Sequence, residues 1–170
     1  MEINNKNQQA NKLVFLGLIQ FLLGLLVGLF IQNMTNPRMA LSAHLEGVMN
    51  GMFLMILGLI WSRLVLSKTI FKVTFWLTVY GTFANLLAVV VAAVTGFGKM
   101  MPIAGGVEGK GITEGLISFL LISLALCMLA VCCLVIFGFY KHLKAPTNET
   151  DEITSLNMNK GKTTQPTHTT

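Results

Sequence analysis

Charge is scarce in this sequence. Only 11% of its 170 residues are Asp, Glu, Lys or Arg, against 54% hydrophobic, whereas soluble domains carry roughly 25% charged residues. That shortage excludes an ordinary water-soluble domain. Cysteine is also sparse. Cys127, Cys132 and Cys133 all fall in the last apolar run, and the chain lacks CxxC and CxxCH, so a thiolate zinc site and a covalently attached c-type haem have no signature. A G-x-S-x-G elbow, an HExxH pair and a phosphate loop are missing as well. The net charge of +5 does not point to nucleic acid, because the positive residues flank apolar runs, where they set membrane topology.

What is there is four apolar runs, at 13–31, 43–61, 70–94 and 114–139. About 20 helical residues cross a bilayer, and unpaired backbone groups are too costly in lipid for any open structure but a helix. The expected fold is an all-α integral membrane four-helix bundle. Residues 1–12 form a polar N-terminal segment, 13–140 the transmembrane domain, and 141–170 a polar, flexible tail. An even number of spans puts both termini on one side. That side holds Lys6, Lys12, Arg63, Lys68, Lys72, Lys141, Lys144, Lys160 and Lys162, against Arg38, Lys99 and Lys110 on the other. The positive-inside rule makes it the cytoplasm. The first run is too long and glycine-rich for a cleaved signal and is read as a retained span. The chain is expected to be a multi-pass membrane protein.

Small residues line several helix faces. Gly17, Gln20, Gly24 and Gly28 share one face of the first span, and Gly47, Gly51 and Gly58 one of the second; such stripes let helices approach closely. Thr74, Thr78, Thr82 and Asn85 form a polar stripe on the third span. Those side chains can bond a neighbouring helix or line a cavity. Asn85 is the stronger functional candidate, because a buried amide must find partners.

The stretch SAHLEGVMNG, Ser42 to Gly51, sets a histidine, a glutamate and an asparagine at the mouth of the second run. Ser42 is an expected N-cap. Glu46 then suits the positive end of the helix dipole, and Asn50, one turn on, is placed to share a hydrogen bond with it. His44 aligns with Gly47 and Gly51, since a helix turns about 100° per residue. A histidine above two glycines leaves a flat open face of the kind a porphyrin needs, with an imidazole for its iron. The plainer reading is a polar residue at a wet interface. His142 and His168 offer no second ligand on that side, which leaves one iron position open, as catalysis at a metal requires. Glu46, Glu108 and Glu114 all lie toward the outer end, as an acid–base cluster or as ordinary solvated charges.

NPRMALSAHLEGVMNGMF, Asn36 to Phe53, resembles the signature region of hydroxylaminobenzene mutases, small bacterial membrane proteins that convert hydroxylaminobenzene to 2-aminophenol. The loop GKMMPIAGG, Gly98 to Gly106, and the order of four spans are similar too, so that the resemblance covers about 13–139. A more distant likeness is to styrene-oxide isomerases, four-helix membrane trimers with haem b between subunits. The shared patterns are His-x5-Asn-Gly-Met, here His44, Asn50, Gly51 and Met52, and aromatic-Ala-Asn, here Phe83-Ala84-Asn85.

The resemblance implies a homotrimer holding ferric haem b on His44 between subunits, Gly47 and Gly51 beside the cofactor, and Asn50, Glu46 and Asn85 as catalytic residues acting on a small aromatic substrate. The isomerases' aspartate and tyrosine have no counterpart, the nearest positions being Gly81 and Val89 with Tyr80 out of register. That departure favours the mutase over the epoxide isomerase. The remaining alternatives are an electron-transfer cytochrome, which lacks its second axial ligand, and a non-catalytic membrane protein.

Overall fold

The computed structural model describes residues 2–109 and 111–145, with side chains from residue 5 onward. The segment from 146 to the end of the expected tail lies outside the described residues. Four helices follow in order: α1 Glu2–Leu29, α2 Pro37–Ile60, α3 Lys68–Thr95 and α4 Ile112–Lys144. All four are long and apolar enough to span a membrane, and the architecture is the expected all-α membrane bundle. α1 packs on α2, α2 on α3 and α3 on α4. The helices run past the apolar runs. Residues 2–12, expected as a separate polar segment, are the first turns of α1, and Lys141–Lys144 continue α4.

The bundle is apolar outside as well as inside, as lipid demands. Phe15, Leu22, Leu29, Phe119, Leu126 and Leu129 are exposed, while Gln20, Thr74, Thr78 and Thr82 are buried. Beside a small third cluster of Ala84, Ala88 and Leu120 between α3 and α4, two larger apolar clusters occupy opposite ends of the interior. One joins Leu13, Leu54, Trp61, Phe71 and Phe75 toward the turn after α2. The other joins Met39, Ala43, Val89, Ala92 and Ile117 toward the opposite end.

At the first end, Lys6 Nζ donates to the carbonyls of Ser62 (3.0 Å) and Leu64 (2.7 Å), and Val65 N donates to Gly138 O at 3.1 Å. The starts of α1 and α3 and the finish of α4 therefore share one end of the bundle. At the other end α3 stops at Gly96, whose φ of +76° is the left-handed cap glycine adopts without penalty. The 96–111 loop is then held by Glu114, which accepts from Lys99 N and Gly109 N, both at 3.1 Å.

α2 begins earlier than the apolar pattern indicates. Its N-cap is Asn36, not Ser42, with Pro37 in the first turn and the Asn36 side-chain Oδ1 accepting from Met39 N at 3.1 Å. Proline at the first helical position costs no hydrogen bond. Ser42 is therefore an interior helical residue. Glu46 sits roughly 2.5 turns inside α2, beyond the reach of the helix dipole, which acts over the first turn.

Candidate active site

The close packing of α1 on α2 fixes the site. A Cβ on Gly24 would lie 2.6 Å from Val48 N, one on Gly47 2.5 Å from Gly24 Cα, and one on Gly51 2.6 Å from Phe21 N. The two backbones touch through their glycines. This corrects one expectation: the Gly47–Gly51 face is not an open shelf for a flat ring, because α1 fills it. These glycines set the helix spacing.

His44 sits where that seam ends. Its Nδ1 lies 2.8 Å from Gly24 O. A carbonyl only accepts, so Nδ1 carries the proton and Nε2 keeps its lone pair in the neutral ring. The ring rests on Gly28, where a Cβ would come 2.7 Å from Nδ1. A carbonyl on one imidazole nitrogen is the usual way a protein fixes tautomer and orientation of a histidine that gives its other nitrogen to a metal. The half-buried His44 would thus suit a haem iron through Nε2. Among the described residues, no group of three His, Cys, Asp or Glu side chains converges as a metal site.

Glu46 and Asn85 meet across the α2–α3 interface, with Asn85 Nδ2 donating to Glu46 Oε2. Asn50 does not bond Glu46 as expected from their spacing. Its Nδ2 is buried without a hydrogen-bond partner, and the amide that reaches the Glu46 carboxylate is that of Asn85 from α3. The expected carboxylate cluster does not form either: Glu114 is committed to the loop backbone and Glu108 is exposed. The threonine stripe bonds neither a neighbour nor a cavity. Thr74, Thr78 and Thr82 hydroxyls donate to the carbonyls of Ile70, Thr74 and Thr78 in their own helix, at 2.8, 2.7 and 2.9 Å.

Gln20 was not singled out as a site residue by spacing, yet it is fully buried. Its Nε2 donates to Thr82 O at 2.7 Å, and its Oε1 has no partner. The signal available in the sequence was an amide set between glycines on an otherwise apolar helix. Glu46, Asn50, Asn85, Gln20 and Thr82 together form a polar layer between the two apolar clusters. His44 belongs to a different side of α2, roughly 120° around from Asn50.

Gly81 and Val89 are buried. A Cβ at Gly81 would come 2.8 Å from Met128 Sδ, so nothing there replaces the missing carboxylate. Tyr80 bonds Ser123 on α4 at 2.7 Å and does not join the layer.

Residues 9–140 match the family model described as styrene oxide isomerase. Over 131 residues the chain is 53% identical to hydroxylaminobenzene mutase HabB of Ectopseudomonas oleovorans, covering 76% of this chain and 80% of that relative. Over 127 residues it is 42% identical to hydroxylaminobenzene mutase HabA of the same organism, covering 74% and 94%. No solved structure matches the chain.

Proposed function

The chain belongs to the styrene oxide isomerase family, and we propose that it acts there as a mutase converting hydroxylaminobenzene, or a close arylhydroxylamine, to 2-aminophenol with ferric haem b on His44. An isomerase of the mutase type is what both relatives indicate. The observation that supports the cofactor is the His44 Nδ1–Gly24 O bond, which leaves Nε2 as a ligand atom. Because His44 and the polar layer lie on different sides of α2, a haem between subunits of a homotrimer is the arrangement that unites them, with one copy's His44 serving its neighbour's layer. Both termini are assigned to the cytoplasmic side of a bacterial inner membrane by the positive charges at that end of the bundle.

A bound ferric haem supplies Lewis acidity toward the substrate's N-hydroxyl oxygen. The chain's residues do the rest. Asn50 Nδ2, buried with no internal partner, donates to the substrate's polar group and orients it. Asn85 holds Glu46 Oε2, which leaves Oε1 to take the proton from the ortho carbon as oxygen moves there and to return it to nitrogen. Atoms balance: the N–O bond breaks, a C–O bond forms, and one proton moves from carbon to nitrogen. The apolar clusters on either side of the layer keep out bulk water, which would otherwise compete as nucleophile.

The test is an absorption spectrum and product analysis of the detergent-purified protein beside His44→Ala. The expected result is a Soret band and 2-aminophenol formation in the native protein, both lost in the variant. No Soret band after haem supply during expression overturns the cofactor. A Soret band without 2-aminophenol overturns the substrate.

A further inference from the structure

We propose that Gln20 is a substrate-reading residue of this site: its Oε1 and Asn50 Nδ2 form an acceptor–donor pair that binds the N–H and the oxygen of one arylhydroxylamine. The inference rests on the mutase reading above and adds the group that senses the substrate's N–H.

Four contacts put the pair in one layer. Gly17 and Gly24, either side of Gln20 on α1, face Gly51 O and Val48 N, where a Cβ on each would lie 2.7 and 2.6 Å away. Gln20 is therefore level with Asn50. On the other flank, Gln20 Nε2 bonds Thr82 O. The Glu46–Asn85 bond fixes α2 against α3, and four residues along α2 from Glu46, or three back along antiparallel α3 from Asn85, reach Asn50 and Thr82.

The amide orientation of Gln20 follows from its partner. Thr82 O only accepts, so the atom facing it is nitrogen, and the orphan is the oxygen. A buried acceptor and a buried donor without partners cost free energy in the folded protein, and the cost is recovered when a ligand brings a donor and an acceptor together. An arylhydroxylamine does so within one N–O unit: N–H to Gln20 Oε1, oxygen to Asn50 Nδ2. A site that reads a hydrogen bond in this way rejects an analogue lacking it strongly, because its own polar atom is left unpaired.

Two measurements test the pair. The first compares kcat/KM for hydroxylaminobenzene and N-methyl-N-phenylhydroxylamine in the native protein and in Gln20→Met. The native protein is expected to prefer the N–H substrate at least a hundredfold, and Gln20→Met to lose at least tenfold of that preference. A folded Gln20→Met with the native preference overturns the proposal, the two orphan atoms then being filled by an ordered water. The second needs no turnover: the melting shift given by aniline against toluene, which is the same size without an N–H. A larger aniline shift in the native protein supports the pair, and equal shifts overturn it even where Gln20→Met does not fold. A native protein that discriminates aniline from toluene but forms no 2-aminophenol retains the Gln20 reading while the substrate assignment fails.

Discussion

Asn85 of α3 donates a hydrogen bond to Glu46 of α2 in the middle of the bundle, between one apolar cluster closed by Leu54 and Phe75 and another closed by Ala43 and Val89. A carboxylate there is far from the aqueous ends of its helix and depends on this amide for a partner. Glu46→Gln keeps an acceptor for Asn85 but cannot take a proton. We expect it to fold with a melting temperature close to the native one and to lose at least a hundredfold in kcat, the range a general base supplies. Native turnover in Glu46→Gln removes Glu46 as the proton carrier. Asn85→Ala is expected to cost about 1 kcal/mol in stability, as interhelical hydrogen bonds in membranes do, with a larger loss in turnover.

The glycine seam gives a contrasting pair. At Gly24 a Cβ would meet the α2 backbone at 2.6 Å, whereas at Gly115 nothing lies within 4 Å. Gly24→Ala must part α1 from α2 and is expected to destabilise by about 1–3 kcal/mol. It also shifts the carbonyl that holds His44, so under the proposed function haem retention is expected to fall with it. Gly115→Ala is expected to stabilise by up to about 1 kcal/mol through helix propensity alone. Thermal melts in one detergent compare the two, and equal effects would contradict the backbone contact.

Asn36 ties three segments at the end of the bundle where α2 begins and α3 stops. Its side-chain oxygen caps α2 through Met39 N, its Nδ2 donates to Ala104 O and Gly105 O at 3.1 and 2.9 Å, and its own N–H donates to Ala93 O at 3.0 Å. Asn36→Asp keeps the cap and loses both loop donations. Faster amide exchange in 102–107, with α2 protection retained, is the expected result. Asn36→Ala loses the cap too, at a cost of about 1 kcal/mol, and α2's first turn should then exchange faster as well. Exchange in 102–107 that stays at the native rate in both variants would show that the loop does not depend on this amide.

Periodicity and length located four helices because lipid permits little else, but they misplaced the ends. α1 begins at Glu2, since polar residues extend a helix beyond the bilayer without penalty. α2 begins at Pro37, since an Asn-Pro pair starts a helix as well as Ser42 would. The residues of the site were legible one by one. His44, Glu46, Asn50 and Asn85 stood out because polar groups in an apolar run are expensive and few.

Their partners were not legible. Spacing on one helix paired Glu46 with Asn50, and aligned His44 with an open glycine face. The fold instead gives Glu46 to Asn85, presses Gly47 and Gly51 against α1, and leaves Asn50 facing a layer that Gln20 enters from the first helix. The sequence by itself determined that this chain is a four-helix membrane protein with a few buried polar side chains. Which of them are satisfied, and which remain to meet a ligand, was decided by tertiary structure alone. A helix fixes the direction of each side chain, but a hydrogen bond between helices depends on their register, which is set by how closely two backbones can pack.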